Sequence, residues 1–174
     1  MALVGGGRAL LLEDAHPFVA AGVAEHSAYR SDPFGRLQRT LAAMQAISFG
    51  EVLAALAAAR GIERAHERVR GTLPEDAGPF RAGTPYSGRD PEAVRWVWAT
   101  LADTAWLLYE RFVESLDAAA REAYYGEHRV LAVLVGVDPE LVPPDWTAFR
   151  RYFDDMIEGD RLAVTALSRD IAET

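Results

Sequence analysis

Three of the four histidines of this 174-residue chain lie in its first half, in strongly apolar sequence that also holds a cluster of arginines. They are His16, His26 and His66. A neutral imidazole ligates metal ions or haem iron, and the ring also transfers protons near neutral pH. The pattern therefore indicates a metal or haem site. The alternative is that each histidine is a half-buried helix residue hydrogen-bonded to a neighbour.

Arg36, Arg39 and Thr40 lie between these histidines on a predicted helix. Arg36 and Thr40 are four residues apart, so a helix presents both on the same side. A guanidinium binds carboxylates in a bidentate geometry and stays protonated, so Arg39 cannot act as a reversible iron ligand. Spacing alone assigns no role to these three residues.

Two Glu-x-x-His sequences suggest a different metal chemistry. They run from Glu13 to His16 and from Glu63 to His66. Two such pairs, with one glutamate from each of two other helices, form the di-iron carboxylate pattern of four-helix bundles. A non-haem iron site is thus an alternative. The simpler interpretations are that Glu63 forms a surface ion pair, and that His16 orients a turn by hydrogen bonding to the backbone.

Composition restricts the functions that the chain can have. A net charge of −8 and a pI near 5.0 give no electrostatic reason for binding to nucleic acid or to an anionic membrane. There is no cysteine, which excludes thiolate nucleophiles, disulfides and iron–sulfur clusters. No stretch approaches the roughly 20 apolar residues that span a bilayer, so no membrane span is predicted and a cytoplasmic location is the default expectation.

Apolar periodicity and the positions of proline and glycine predict an all-α fold, organised as one domain over residues 1–174. Asp32 and Pro33 start one helix, which ends near Gly50. The next predicted helix covers residues 51–70. Its core candidates are Val52, Leu53, Leu56, Ile62 and Val69.

Two glycine-rich segments are predicted to be irregular. The triple glycine at residues 5–7 predicts a flexible turn. Residues 71–90, which are rich in glycine and proline, predict a long loop, and a loop of that length usually forms a lid or a binding loop.

Several blocks spread in order along the chain match one known family. They cover residues 5–12, 15–23, 32–40, 65–71, 85–87, 96–103, 109–112 and 162–165. In these blocks the chain resembles the MpaB-like oxygenase family, which includes the latex-clearing rubber oxygenases. The resemblance implies a globin-like multi-helix domain that holds haem b and oxidatively cleaves a carbon–carbon double bond in a small apolar molecule or polyisoprenoid.

The resemblance also implies roles for particular residues. His66 corresponds to the metal ligand of the haem iron. Arg36 and Thr40 match an Arg-x-x-Lys-Thr element beside the haem of the rubber oxygenases, and Arg39 stands at the lysine position. The expected catalytic residues are therefore Arg36, Arg39 and Thr40. The expected cofactor-binding residues are His66, Arg36, His16 and Arg70.

Two departures from the family motivate another hypothesis. Trp98 stands where many members have histidine, and the chain stops soon after residues 162–165, where members of the family typically continue. A helical relative without a cofactor, which binds a small apolar ligand or a protein partner, is therefore an alternative. A homodimer is a further expectation, because apolar surface that the chain itself does not cover favours association.

Overall fold

Helices make up most of the residues that the computed structural model describes, which are 2–173, with side chains from residue 5 onward. Met1 and Thr174, which the expected domain includes, lie outside these residues. The helices are α1 (Ala2–Glu13), α2 (Pro17–His26), α3 (Pro33–Phe49), α4 (Val52–Arg68), α5 (Pro91–Phe112), α6 (Ala118–Leu134), α7 (Trp146–Glu158) and α8 (Ala166–Ala172). The predicted all-α fold class is confirmed. In this part of the chain no helix is both long enough and apolar enough to cross a membrane.

Aspartate side chains cap four of the eight described helices, α3, α5, α6 and α7. Asp32 accepts a hydrogen bond from the Gly35 amide at 2.9 Å, and Asp90 accepts from the amides of Glu92 and Ala93. A proline follows each of these two caps at the first helical position, where its missing amide hydrogen costs nothing. The predicted start of α3 is thus confirmed.

The triple glycine at residues 5–7 is helical rather than a flexible turn, so this prediction was wrong. It lies inside α1, which packs along α5. A Cβ atom at Gly5 would lie 2.8 Å from Thr104 Cγ2 and would also collide with Leu108. The glycine is therefore required by the close approach of two helices, and not by a turn.

The main core lies between α5, α6 and α7. Trp96 and Trp98 of α5 are buried against Tyr125 of α6 and Phe149 and Phe153 of α7. The two indoles also form hydrogen bonds to the backbone, Trp96 to the Leu12 carbonyl at 2.8 Å and Trp98 to that of His128 at 3.0 Å. Trp98 is therefore a fully bonded core residue.

Residues 71–90 contain a β-hairpin that the sequence pattern did not predict. Strands β1 (Arg70–Thr72) and β2 (Pro85–Ser87) pair antiparallel, with Gly71 opposite Tyr86. The buried Tyr86 hydroxyl donates to Glu25 at 2.6 Å, which ties the hairpin to α2. Three-residue strands are too short to show an alternating pattern, so only the glycine and proline content was visible in the sequence.

Helices α3 and α4 form a helical hairpin joined by Gly50 and Glu51. Only Ile47 of α3 and Ala55 of α4 are buried. Among the predicted core residues of α4, three are exposed: Val52, Leu53 and Leu56. That part of the prediction was wrong, because the apolar face that periodicity identifies on this helix points away from the rest of the chain.

One buried carboxylate connects three helices. Asp103 of α5 is 2% exposed and forms ion pairs with Arg8 of α1, at 2.7 Å, and with Arg150 of α7. Arg8 also donates a hydrogen bond to Thr104 at 2.6 Å. Two cations around one buried carboxylate compensate its desolvation, and the arrangement fixes α1 and α7 against α5.

We expect Asp103→Asn to lower the free energy of unfolding by about 3 kcal/mol, because two arginines lose their counter-charge in a partly buried site. Urea denaturation followed by circular dichroism measures the change. The matched control is Asp154→Asn, because Asp154 is an exposed partner of Arg150. It should change the stability by less than about 0.5 kcal/mol. Equal effects of the two substitutions would show that Asp103 has no special structural role.

Candidate functional site

His66 lies near the end of α4, where the chain turns into β1. Its side chain is half-buried, and neither ring nitrogen has a hydrogen-bond partner among residues 2–173. Burial lowers the pKa of His66, and the nearby Arg89 guanidinium lowers it further. The imidazole is therefore neutral at physiological pH and has a free lone pair, which is the form that ligates iron.

Arg89 fixes the position of this end of α4. It donates to Glu67 at 2.9 Å and to Glu63 at 3.2 Å, and these two glutamates flank His66 on the helix. Gly88 packs directly on the His66 backbone, since a Cβ there would be 2.7 Å from the His66 carbonyl oxygen. Glu63 thus forms the surface ion pair that the sequence suggested, but with Arg89.

Arg36 and Thr40 lie on the first half of α3. Since α3 and α4 have the same length and a two-residue connection, the beginning of α3 lies beside the end of α4, which holds His66. Arg36 is half-buried and has no ion pair or hydrogen bond among the described residues. Its charge acts on the nearby carboxyl groups of Glu13 and Asp14 without a direct ion pair.

The side chains around Arg36 are suited to an apolar partner. Leu37, Leu41 and Met44 lie on the same helix and remain only half-buried. Surface of this kind, next to an uncommitted guanidinium and a neutral imidazole, suits an apolar ring system that also has carboxylates. The donor set thus fits haem.

Arg39 and Arg70 are placed at the edge of this region. Arg39 is exposed and forms an ion pair with Asp32 at 3.1 Å. Arg70 is exposed on β1, where its Nε donates to the Glu67 carbonyl at 3.4 Å. Its own carbonyl is bonded to His26 Nε2 at 3.0 Å, so His26 holds the start of the β-hairpin.

His16 is fully buried at the start of α2. Its Nδ1 accepts a hydrogen bond from the Phe18 amide at 3.3 Å, as expected for a histidine that orients a turn. Nδ1 is thus the unprotonated nitrogen, and Nε2 carries a hydrogen that has no acceptor in the described chain. Burial lowers the pKa of His16 to about 4, although Asp90 opposes this effect.

Two carboxyl groups at the end of α1 lie between this histidine and Arg36. Burial raises the pKa of Glu13 from 4.5 to about 7, the neighbouring Asp14 raises it further, and Arg36 opposes the increase. Burial raises the pKa of Asp14 to about 6, again against the effect of Arg36. One oxygen of Asp14 is buried without a hydrogen-bond partner.

The structure thus brings together two groups of residues that the sequence separates. Arg36 is within electrostatic range of the acidic pair on α1. His66 is within electrostatic range of Arg89, and His16 is within electrostatic range of the neighbouring Asp90, which precedes α5. Asp14 is a site residue that the sequence analysis missed. The sequence signal that could have identified Asp14 is its position directly before Ala15, His16 and Pro17, at the end of an apolar helix.

The two Glu-x-x-His sequences do not form a joint metal site. Among residues 2–173, no group of three or more histidine, aspartate or glutamate side chains is arranged to hold a metal ion. Glu63 is bound to Arg89, and Thr100 donates to Glu13 at 3.4 Å. A site with a single imidazole ligand, as in haem proteins, needs no such group.

The chain is a helical catalytic domain of the oxygenase class. It belongs to the family described as ER-bound oxygenase mpaB/B'/Rubber oxygenase, catalytic domain, whose model matches residues 1–174. The resemblance found in the sequence is thereby confirmed. No curated protein and no solved structure matches the chain significantly.

We expect Glu13→Gln to raise the free energy of unfolding at alkaline pH by about 2 kcal/mol. The folded pKa of about 7 lies above the unfolded value of 4.5, so the folded state binds this proton more tightly. Wild-type stability is therefore complete at acidic pH and decreases as the pH rises towards 7. Glutamine stays neutral at every pH and removes this decrease, which urea denaturation across the pH range measures.

The matched control is Glu158→Gln, because Glu158 is an exposed glutamate at the end of α7. This substitution should leave the pH dependence unchanged. If wild type and Glu13→Gln have parallel stability curves, Glu13 is ionised in the folded protein and the buried acidic pair is not protonated as described.

Proposed function

We propose that the protein is a haem-dependent oxygenase that acts on an apolar unsaturated substrate. The observation that carries this proposal is the half-buried imidazole of His66, which has a lowered pKa and no hydrogen-bond partner among the described residues, in a chain of the oxygenase family. Arg36 lies on α3, the helix that packs against the helix of His66. In this proposal haem b is the cofactor, and the His66 imidazole would hold its iron.

Haem b supplies the redox chemistry that activates dioxygen, and the protein supplies binding, orientation and electrostatics. Arg36 and Arg70 bind the cofactor carboxylates, since a guanidinium matches a carboxylate in bidentate geometry. His16 would be the third residue that holds the cofactor, since its Nε2–H has no acceptor in the described part of the chain and would donate to the bound group.

Arg39 and Thr40 position oxygen or the substrate at the edge of the site. Arg39 forms an ion pair with Asp32, and both side chains are exposed. Exchanging an exposed ion pair costs less than about 1 kcal/mol, so Arg39 is free to turn towards a ligand. The Thr40 hydroxyl both donates and accepts hydrogen bonds.

The proposed reaction is oxidative cleavage of a carbon–carbon double bond. One dioxygen molecule is consumed for each double bond, and its two oxygen atoms become the oxygens of two carbonyl products, so no further reductant is needed. Glu13 and Asp14 lie close to Arg36 and have pKa values near neutrality, so they can hold or release a proton beside the site.

A second candidate function is the binding of a small apolar ligand without a cofactor. A groove of about 470 Å³ lies along α6 and the turn that follows it, lined mainly by valine, leucine and proline side chains. In addition, the family's usual histidine is replaced by Trp98, which fills the core. Cofactor content distinguishes the two functions.

Purified protein supplied with haem should show a Soret absorption band and bind about one haem per chain. We expect His66→Ala to lose the band while keeping its helical circular dichroism, because the iron loses its axial nitrogen. In His66→Gly, added free imidazole should restore the band, which separates the loss of a ligand from misfolding.

The control for this experiment is His128→Ala, because the His128 ring packs on Tyr124 of α6, away from the proposed site. It should bind haem like wild type. A colourless wild-type protein in the presence of excess haem would overturn the haem proposal and favour the apolar ligand. An unchanged spectrum in His66→Ala would overturn the ligand assignment alone.

A further inference from the structure

The α3–α4 hairpin is a basic element in an acidic protein. From Pro33 to Arg68 it contains five arginines and three glutamates, a net charge of +2, whereas the whole chain has −8 and the remainder therefore −10. The conclusion from the overall charge, that nothing attracts this chain to an anionic surface, does not hold locally. The electrostatics of this element must be considered separately.

Three of the hairpin arginines form an uncompensated row. Arg60, Arg64 and Arg68 follow one another at intervals of four residues, so they share one face of α4. All three are exposed, and none has an ion pair within residues 2–173. The glutamates on the same helix, Glu63 and Glu67, both pair with Arg89, so the two carboxylates are partly compensated and do not pair with the row.

The tip of the hairpin is strongly apolar. Phe49 is 89% exposed, Val52 is 74% exposed and Leu53 is 81% exposed, and Leu56 continues the apolar surface one turn further along α4. Leu56 and Leu53 are four and seven residues before Arg60, so they lie on the same face as the arginine row. The apolar tip and the row form one continuous surface.

We propose that the α3–α4 hairpin binds the surface of an anionic lipid membrane, with its tip among the acyl chains and its arginine row on the lipid phosphates. Along α4 the apolar residues are nearest the tip and the arginines follow. In this order the apolar residues reach the acyl chains while the arginines remain at the headgroups. Leu53 precedes Arg60 by about 10 Å along the axis. This length is comparable to the depth of about 5–10 Å at which interfacial elements bury their apolar residues.

A membrane fits this surface better than a second copy of the chain does. The apolar side chains of the tip are highly exposed, so a protein partner needs a surface that matches them in shape, whereas a bilayer adapts to any exposed apolar group. The arginine row also requires several anionic groups side by side, and a layer of lipid headgroups supplies them at any position. This proposal does not rest on the proposed oxygenase activity.

Vesicle flotation tests the proposal directly. The purified chain is mixed with phosphatidylcholine vesicles, with and without phosphatidylglycerol, in the absence of haem and substrate. Wild type should float with the anionic vesicles and much less with the neutral ones. Raising the salt concentration should weaken the binding, because it screens the arginine contacts.

Two triple variants remove the two parts of the surface. Phe49→Ser, Val52→Ser and Leu53→Ser together should weaken vesicle binding at least about tenfold through lost apolar burial. Arg60→Gln, Arg64→Gln and Arg68→Gln together should do the same, since each arginine near an anionic surface contributes about fivefold. Helical circular dichroism and the unfolding midpoint verify that both variants fold.

Each variant has a matched control in exposed residues elsewhere. The apolar control combines Phe112→Ser, Val113→Ser and Val164→Ser, at exposed positions outside the hairpin. The charge control combines Arg111→Gln, Arg129→Gln and Arg151→Gln, which are exposed arginines without ion pairs in the described chain. Both controls should bind vesicles like wild type.

A single fluorophore reports whether the tip itself enters the lipid. The chain has no cysteine, so Phe49→Cys provides a unique site for an environment-sensitive dye. Its emission should shift to shorter wavelength when anionic vesicles are added. The same dye at Phe112→Cys should not respond.

Several results would overturn the proposal. They are an absence of wild-type binding to anionic vesicles, an equal loss in the charge control, or an unchanged emission of the dye at position 49. A concentration-dependent dimer that the tip variant abolishes, without vesicle binding, would show that a second copy covers the hairpin instead.

Discussion

The buried ion pairs of Asp103 are the constraint on which the rest of the structure depends. They hold α1 and α7 on either side of α5, and the tight packing at Gly5 allows α1 to lie along α5 at that distance. The far end of α1 then delivers Glu13, Asp14 and His16 to the beginning of α5. Without this arrangement the acidic pair would be ordinary surface residues at the end of an amphipathic helix.

Five buried side-chain polar atoms have no hydrogen-bond partner in the described part of the chain, and two of them, on Asp14 and His16, lie at the candidate site. The other three belong to Arg95, Trp106 and Tyr152, whereas the indoles of Trp96 and Trp98 are hydrogen-bonded to the backbone. At the site, an Asp14 oxygen and His16 Nε2 are buried without partners, and Arg36 has no counter-ion within hydrogen-bonding distance. Such groups are costly to fold unless a bound molecule completes them. The proposed function assigns the imidazole of His66 to the iron, and its pKa is lowered by burial and by Arg89.

The sequence predicted the features that depend on residues nearby in the chain, and it missed the features that depend on contacts between separate helices. The cap at Asp32 and the helices on either side of Gly50 are determined by nearby residues, and the structure has them. The role of the triple glycine was missed because it depends on how closely α5 approaches. The exposed face of α4 was missed because periodicity shows that a helix is amphipathic, and it does not show whether the chain covers the apolar face. The site residues Arg36 and His66 came from family resemblance, whereas the buried state of Asp14 required the packing of α1 in three dimensions.

The most direct test of the proposed site is electron–nuclear spectroscopy of the ferric haem complex, prepared from protein whose histidine nitrogens are isotopically labelled. The account predicts a hyperfine coupling from one histidine nitrogen to the iron in wild type. It also predicts that this coupling is present in His128→Ala and lost in His66→Ala. A haem complex without any histidine coupling, or a coupling that survives the removal of His66, would contradict the assignment of His66 as the axial ligand.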